Sequence, residues 1–311
     1  MKLSLIVPCF NEAQSLHNFY TQICATLSTL AHSYAGLESE LIFINDGSKD
    51  STLAVLRDME RAHSLAFSSL ESLDSKLPLE STFKENTSTP PPPAKSSIKI
   101  IDFSRNFGKE AAMYAGLQAS SGDCVAIMDA DLQDPPELLL EMFRKWQGRE
   151  AQIIRARRIS RAGEGYVRAR LSEAFYKVSN YVSEVRLESG VRDFRLMDRE
   201  VVDALVSMGE YHRFSKAMFE WVGFDTISLE YEYIPRAQGR SAWGFYKLFK
   251  YAIEGLVSFS TMPLRIAFVL GFAMSVLSLV YGCYAVVDML IFHSTAIHFF
   301  KICLSFCSLS L

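Results

Sequence analysis

Short runs of apolar residues alternate with stretches of helical periodicity over the first half of the chain. The runs are Leu3–Val7, Leu41–Ile44, Ile98–Phe103 and Cys124–Met128. They are rich in Ile, Val and Phe and too short for helices, which indicates strands that are buried on both faces. Between them, apolar positions recur at helical spacing, as from Asp50 to Arg61 and onward from Pro136. This alternation predicts an α/β fold with a mostly parallel sheet.

The segment formed by residues 64–97 interrupts this pattern. It is rich in Ser, Thr, Pro, Lys and Glu, and it contains four consecutive prolines at residues 90–93. Such a composition predicts a flexible surface insertion rather than a part of the hydrophobic core.

The C-terminal part of the chain is much more apolar. Residues 266–287 contain no charged side chain, and this length is close to the ~20 residues that a bilayer-spanning helix needs. Residues 289–311 are mostly apolar but are interrupted by two histidines and a lysine, so a truncated second span is an open alternative. Basic residues precede the first span and Asp288 follows it, so the positive-inside rule predicts that everything before the span lies in the cytoplasm.

An amphipathic helix is predicted just before the membrane segment. From Trp243 to Phe259 the aromatic and aliphatic residues fall largely on one helical face, and Lys247 and Lys250 lie elsewhere. This pattern is typical of a helix in the headgroup plane of a membrane, with packing against the protein core as the alternative. The predicted division is a catalytic domain over 1–235, juxtamembrane helices over 236–262 and a transmembrane region over 263–311.

Composition excludes several classes of function. A net charge of -3 and a pI near 6.1 argue against a nucleic-acid binder, which would carry a basic excess. The six cysteines form no CxxC pairs, so neither a zinc site nor a disulfide framework is expected. No glycine-rich dinucleotide fingerprint follows the first strand and no GxxxxGK[ST] motif occurs, which argues against nicotinamide and P-loop enzymes.

Acidic segments follow three of the predicted strands. They are Asn11-Glu12, Asp46 with its neighbours, and the run from Asp129 to Asp134. Because ligands of α/β sheets bind beyond the carboxyl ends of the strands, these segments are expected to meet at one site. Asp129 and Asp131 offer hard oxygen ligands that suit Mg²⁺ or Mn²⁺ together with substrate phosphates. A solvated turn is the alternative for this DxD pair taken alone.

The ordered series of motifs resembles glycosyltransferase family 2, in particular the branch of dolichyl-phosphate mannose synthases and bactoprenol glucosyltransferases. The matching segments are IVPCFNE (6–12), INDGSKDST (44–52), SRNFGKEAAMYAG (104–116), MDADLQDPPE (128–137), DFRLMDR (193–199) and GRSAW (239–243). The resemblance implies a GT-A fold, a nucleoside-diphosphate sugar donor, a divalent metal and inversion at the anomeric carbon.

The resemblance also implies roles for individual residues on the side of the sugar donor. The residues that it implies around the nucleotide base and ribose are Pro8, Asn11, Glu12 and Asp46. It implies that Asp129 and Asp131 hold the metal, with Asp131 as the strongest ligand, and that Gln133 helps to hold the diphosphate. Lys109 is expected to assist at the diphosphate, with a surface lysine at the start of a helix as the alternative.

On the acceptor side, Asp193 occupies the family's position for a catalytic carboxylate. A phosphate acceptor needs no general base, because its second pKa of ~6 leaves it largely dianionic at neutral pH. Asp193 is therefore expected to orient groups, and a structural salt bridge with Arg195 is the alternative. The resemblance places acceptor-phosphate contacts in the arginine-rich stretch 155–170. The favoured residues are Arg158, Arg161 and Arg168.

The sequence thus predicts inverting transfer of a sugar from a UDP- or GDP-sugar to a polyprenyl phosphate of the undecaprenyl type, for modification of cell-envelope glycans. The enzyme is expected at the cytoplasmic membrane, and its thin anchor is compatible with packing against a second copy. Ala242 stands where the family commonly has Lys, and the chain stops soon after Lys301. A truncated, noncatalytic membrane protein that still binds the sugar donor is therefore one alternative, and a glycosyltransferase that acts on a polysaccharide is another.

Overall fold

The computed structural model describes residues 1–73, 95–159, 188, 190–210, 213–232 and 262–292. The chain divides into two units, Met1–Phe259 and Ser260–Leu311. Alternating strands and helices make up the described part of the first unit, whereas one long helix makes up that of the second.

Strands and helices alternate as the apolar pattern predicts, and the four predicted strands coincide with the first four in the structure. The strands are β1 (Lys2–Cys9), β2 (Glu38–Asn45), β3 (Ser96–Asp102), β4 (Cys124–Ile127), β5 (Ile153–Arg158), β6 (Val191–Asp198) and β7 (Thr226–Tyr231). The helices of this unit are α1 (Leu16–Ser33), α2 (Thr52–Leu73), α3 (Lys109–Ala119), α4 (Leu138–Gln147), α5 (Arg199–Ser207) and α6 (Ser215–Trp221).

The strands form one sheet in the order β3-β2-β1-β4-β6-β5-β7. Strands β1 to β4 pair in parallel and β7 is parallel to β5, whereas β6 is antiparallel to both of its neighbours. The predicted α/β fold with a mostly parallel sheet is therefore confirmed. Because β6 is reversed, its first residues lie at the same edge of the sheet as the carboxyl ends of the other strands.

Helices cover both faces of the sheet, which explains why its strands are apolar throughout. Leu5 and Val7 of β1 enter one core with α1, α2 and α4, while Ile6 enters the other core with α3, α5 and α6. A strand that is buried on both faces needs a continuous apolar run rather than an alternating one. This three-layer arrangement leaves the strand ends as the place where polar residues can gather.

The predicted insertion over residues 64–97 is wrong at both ends. Helix α2 continues to Leu73, and β3 already begins at Ser96. The Ser-rich composition hid the helix, because serine is only mildly unfavourable within helices. The ring of His63, which is buried, hydrogen bonds through Nε2 to the carbonyl oxygen of Ser96 at 3.0 Å and thereby ties α2 to β3. Residues 74–94 lie outside the described part of the chain.

The second unit contains helix α7, which spans Met262–Phe292. Its segment Leu264–Ile291 has a mean hydropathy of 2.1. By length and composition this helix can cross a membrane, and it contains the span predicted over residues 266–287. The predicted amphipathic helix over residues 243–259 lies outside the described residues, and so does the predicted juxtamembrane region 236–262 except for its last residue. The possible second span over 289–311 lies outside them from residue 293 onward.

Candidate active site

Polar residues of four strand ends meet at one edge of the sheet. Asn11 follows β1, Asp46 follows β2 and Asp129 follows β4. Asp193 lies at the start of the reversed strand β6. The convergence predicted from the parallel sheet thus includes a residue from an antiparallel strand, whose direction the sequence pattern did not reveal.

Lys109 links two carboxylates at the centre of this edge. Its Nζ lies 2.6 Å from Oδ1 and 2.8 Å from Oδ2 of Asp129, and 2.5 Å from Oδ2 of Asp193. The side chains of Lys109, Asp129 and Asp193 are exposed by 34%, 24% and 18%, so a ligand can still reach them. The alternative of a plain surface lysine is therefore wrong, because the ammonium of Lys109 is shared by two site residues.

The contacts of Lys109 also shift proton equilibria. Burial lowers the pKa of Lys109, but the charges of Asp129 and Asp193 raise it by more, so the net shift is upward. Burial raises the pKa of Asp193, but the Lys109 ammonium lowers it by more, so the net shift is downward. At neutral pH the site therefore holds the charged carboxylate of Asp193 beside the charged ammonium of Lys109.

The alternative salt bridge between Asp193 and Arg195 is wrong. The guanidinium Nε of Arg195 donates to the backbone carbonyl oxygen of Asp193 at 3.2 Å, whereas the carboxylate of Asp193 contacts Lys109. The two side chains of a strand at positions i and i+2 lie on one face, which made the salt bridge reasonable from sequence. Lys109, which contacts the Asp193 carboxylate instead, lies 84 positions earlier in the chain.

Asp46 fixes the loop that carries Lys109. Its carboxylate accepts hydrogen bonds from the backbone N–H groups of Phe107 at 2.7 Å and Gly108 at 3.0 Å. Burial raises the pKa of Asp46, and these two N–H donors only partly offset that effect. Gly47 allows the loop to come this close, because a Cβ there would lie 2.3 Å from the carbonyl carbon of Arg105. Asp46 thus positions Lys109, and its predicted contact with the nucleotide stays a prediction.

The end of β1 is fixed against the turn after β2. Asn11 adopts a positive φ of 56°, its side-chain oxygen accepts from the N–H of Lys49 at 2.8 Å, and its own N–H donates to Ser48 at 3.0 Å. The N–H of Glu12 donates to the hydroxyl of Thr52 at 2.9 Å. These contacts hold the end of β1 against the segment after β2, beside the site.

Pro8 and Glu12 lie at the same end of β1. Pro8 lies opposite Ile44 in the β1–β2 register and is half-buried, and the carboxylate of Glu12 accepts from the hydroxyl of Ser15 at 2.6 Å. The predicted roles of Pro8, Asn11 and Glu12 around the nucleotide base and ribose stay predictions.

The turn after β4 contains the DxD pair, Asp129 and Asp131, and Arg192 of β6 contacts this turn. Leu132 has a positive φ of 55°, and Asp131 Oδ1 accepts from the N–H of Gln133 at 3.1 Å. Arg192 donates to Gln133 Oε1 at 2.8 Å and to Asp134 Oδ1 at 3.2 Å. The sequence reasoning missed Arg192, because only the reversal of β6 brings this arginine beside the turn.

Asp134 anchors the same turn in the core. It is only 2% exposed and accepts a hydrogen bond from the hydroxyl of Tyr231 at the end of β7. Burial raises the pKa of Asp134, although Arg192 lowers it in part. Asp134 does not cap α4, whose N-cap residue is Glu137. Tyr231 was also missed by the sequence reasoning.

The carboxylates after β4 fit a divalent cation that shares its ligands with a substrate. Asp129 already binds a cationic group, the Lys109 ammonium, through both of its oxygens. Within the described residues, no three His, Cys, Asp or Glu side chains come together to hold a metal by themselves. A site with one or two carboxylates that is completed by substrate phosphates is the usual arrangement for Mg²⁺.

The arginine-rich stretch is partly neutralised by acids from elsewhere in the chain. Arg155 is buried and pairs with Glu220 and, at 2.8 Å, with Glu188. Arg157 lies 3.5 Å from Glu230. A count of charges along the sequence missed these acids, which partly neutralise the described arginines of the stretch, Arg155 and Arg157.

Arg158 lies at the last position of β5, opposite Tyr231 of β7 and at the same sheet edge as the DxD turn. Its predicted role in binding an acceptor phosphate stays a prediction. Arg161 and Arg168 lie outside the described residues.

A comparison with solved structures finds glycosyltransferases of low sequence identity and limited structural similarity to this chain. Glucosyl-3-phosphoglycerate synthase from Mycobacterium tuberculosis is 15% identical, with a TM-score of 0.46 over 83% of this chain and 79% of that structure. A mannosyltransferase from Pyrobaculum calidifontis, solved with GDP-Man and Mn²⁺, is 14% identical, with a TM-score of 0.44 over 73% of this chain and 54% of that structure.

Sequence relatives cover most of the chain. A glycosyltransferase of Synechocystis is 36% identical over 92% of this chain and 78% of its own length. A bactoprenol glucosyl transferase of Shigella phage SfV is 36% identical over 94% of this chain and 83% of its own length. The family model for glycosyl transferase family 2 matches residues 4–67 and 88–206, so residues 68–87 are not matched. With this match and these relatives, the chain belongs to glycosyl transferase family 2 and is a glycosyltransferase with a GT-A-like fold.

Proposed function

We propose that the enzyme transfers a sugar from a UDP- or GDP-sugar to a polyprenyl phosphate of the undecaprenyl type, with inversion at the anomeric carbon. The reaction takes place at the cytoplasmic membrane and serves the modification of cell-envelope glycans. The observation that carries this proposal is the pair of carboxylates, Asp129 and Asp193, that contact the single ammonium of Lys109 from two different strands.

The donor half of the proposed site consists of the residues after β4. Asp131 and Asp129 would hold Mg²⁺ or Mn²⁺, and Gln133 would contact the diphosphate. When bound, the divalent cation stabilises the negative charge that gathers on the departing nucleoside diphosphate. Gln133 suits this role because Arg192 holds its side-chain oxygen at 2.8 Å, so the amide group has a fixed direction.

Lys109 serves both halves of the proposed site. The ammonium of Lys109 would keep its contact with Asp193 and give up that with Asp129 if Asp129 held a divalent cation, because like charges repel. Lys109 would then serve the diphosphate on one side and Asp193 on the other. This position suits stabilisation of the leaving group as well as orientation of Asp193.

The acceptor class follows from two lines of support. The name of the phage relative, which is 36% identical over 94% of this chain, refers to glucosyl transfer to bactoprenol. In addition, Oδ2 of Asp193 lies 2.5 Å from an ammonium, which makes the carboxylate a weak proton acceptor. A phosphate acceptor needs no proton removed, whereas a sugar hydroxyl would need a general base.

The membrane arrangement belongs to the same proposal. Residues 1–235 form the cytosolic catalytic domain, residues 236–262 lie along the membrane surface, and α7 crosses the membrane within the region 263–311. The acceptor phosphate binds to basic side chains near the end of β5. These side chains are Arg158, Arg161 and Arg168.

A transfer assay tests this function directly. Membranes that contain the full chain are incubated with undecaprenyl phosphate and a panel of radiolabelled UDP- and GDP-sugars, and the lipid fraction is separated. We expect a labelled lipid with one of these donors, and we expect it to disappear with EDTA or with Asp131→Ala.

Asp203→Ala is the matched control, because Asp203 is an exposed acid on α5 with a side-chain exposure of 67%. It should keep full activity. Folded protein that forms no labelled lipid with any donor would refute the proposed acceptor or donor class. A labelled lipid that persists in EDTA would refute the metal requirement.

A further inference from the structure

Strand β6 contains a bulge at the candidate active site. Residues 192–194 lie opposite the single residue Ala156 of β5, because the register of the two strands shifts there. In a regular strand, neighbouring side chains point to opposite faces, and a bulge can change the direction of one of them. Both Arg192 and Asp193 reach the site, where Arg192 contacts the turn after β4 and Asp193 contacts Lys109.

Arg195 lies buried beside this bulge and binds its backbone. The side chain is 1% exposed. Its Nε donates to the carbonyl oxygen of Asp193 at 3.2 Å, and its Nη2 donates to the carbonyl oxygen of Arg192 at 2.9 Å. Pairing with β4 ends at Arg195 itself, so these two carbonyl groups lie beyond that ladder. The guanidinium thus gives hydrogen-bond donors to two backbone carbonyl groups of the bulged segment.

The packing around Arg195 is unusual for a charged group. The guanidinium lies over the ring of Phe219, 3.6 Å from its centroid, and its Nη1 has no hydrogen-bond partner in the described part of the chain. Burial lowers the pKa of Arg195 to about 10, so the group is still charged at neutral pH. Because an apolar residue of similar length would avoid this desolvation, stability alone does not explain a guanidinium here.

We infer that Arg195 is a positioning residue, which holds the bulge of β6 so that the carboxylate of Asp193 faces Lys109. This inference rests on the proposed role of Asp193 at the acceptor side. Without the two hydrogen bonds to the carbonyl groups, the bulge can relax toward a regular register. Asp193 then loses its place at the site, while Asp129 and Asp131 keep theirs.

A double-mutant cycle distinguishes positioning from general structural support. The variants are Arg195→Met, Asp193→Asn and the combination of both, each in the full chain in detergent with undecaprenyl phosphate and the active sugar donor. Arg195→Met is expected to lower kcat about 100-fold in the parent enzyme, as misplacement of a reacting group by about 1 Å does. In the Asp193→Asn background it is expected to lower kcat by less than about threefold, because Arg195 acts through Asp193.

Binding of the sugar donor gives a second readout. Titration with MnCl₂ and the matching nucleoside diphosphate, UDP or GDP, should give dissociation constants for Arg195→Met and the parent enzyme that agree within about threefold. Arg199→Met is the matched control, since Arg199 also donates to a backbone carbonyl, that of Gly122 at 2.6 and 2.8 Å, but at the opposite edge of the sheet. It should keep kcat within about threefold of the parent enzyme.

Each other outcome has a definite meaning. An equal loss of kcat in both backgrounds, or an unchanged kcat in Arg195→Met, would overturn the inference. Full activity of Asp193→Asn alone would instead refute the proposed role of Asp193. If Arg195→Met does not fold, Arg195→Lys takes its place in the cycle. Lysine keeps the charge but lacks the planar guanidinium that donates to both carbonyl groups.

Discussion

Removal of the Lys109 ammonium should strengthen metal binding while it weakens catalysis. In the structure, this ammonium lies 2.6 Å from Asp129 and 2.5 Å from Asp193, so it competes with a metal ion for the carboxylate of Asp129. At an effective dielectric constant of ~20, Coulomb's law gives about 6 kcal/mol for one such pair. Because about a third of the lysine side chain is exposed, solvent screening reduces this to roughly 2 kcal/mol.

A change of roughly 2 kcal/mol corresponds to a factor of about 30 in a dissociation constant. In Lys109→Met, Mn²⁺ no longer competes with an ammonium for Asp129, so Mn²⁺ should bind the enzyme without sugar donor about 30-fold more tightly. The same variant should lose about 100-fold in kcat, because a positive charge near the leaving diphosphate is missing.

Isothermal titration of MnCl₂ into the full chain in detergent measures the first effect, and the lipid transfer assay measures the second. Lys109→Arg keeps the charge and should show a smaller change in Mn²⁺ affinity. Lys145→Met is the matched control, since Lys145 forms a 2.8 Å ion pair with Glu150 away from the site. Mn²⁺ binding to Lys109→Met that is equal to or weaker than that of the parent enzyme would refute this reasoning.

Two further predictions concern stability and the DxD turn. Burial raises the pKa of Glu40, but hydrogen bonds from Lys2, Ser4 and Ser121 lower it by more, to about 2 from its ordinary value of 4.5. The charged Glu40 carboxylate therefore stabilises the fold by roughly 2–3 kcal/mol above pH ~4.5, and this stabilisation is lost as the pH falls toward 2. In urea unfolding, Glu40→Gln should be less stable than the parent at pH 7 and nearly as stable as the parent at pH 2. An equal gap at both pH values would contradict this linkage. Tyr231→Phe removes the hydrogen bond to buried Asp134, so it should raise the donor KM several-fold and lower stability by about 1–2 kcal/mol, and an unchanged KM would show that this bond does not hold the turn.

The amino-acid sequence alone determined the fold class and which polar residues follow the parallel strands. The strands β1 to β4 are buried on both faces, so each appears as a continuous apolar run, and the acidic residues directly follow these runs. Parallel strands bring their carboxyl ends to one edge, which is why Asp46 and Asp129 could be expected near each other. The apolar segment of α7 could also be predicted from the sequence, because its length and composition are local properties.

The tertiary structure alone decided how Asp193 joins the carboxylates that follow the parallel strands. The reversal of β6 brings Asp193 to the strand ends and lets Lys109 contact it, although the two residues are 84 positions apart. Within the bulged segment of β6, Arg192 donates to Gln133 and the carbonyl oxygens of Arg192 and Asp193 accept from Arg195. Strand direction, bulges and ion pairs between distant residues depend on which elements pack together. Hydrophobic periodicity within a single segment does not predict that packing.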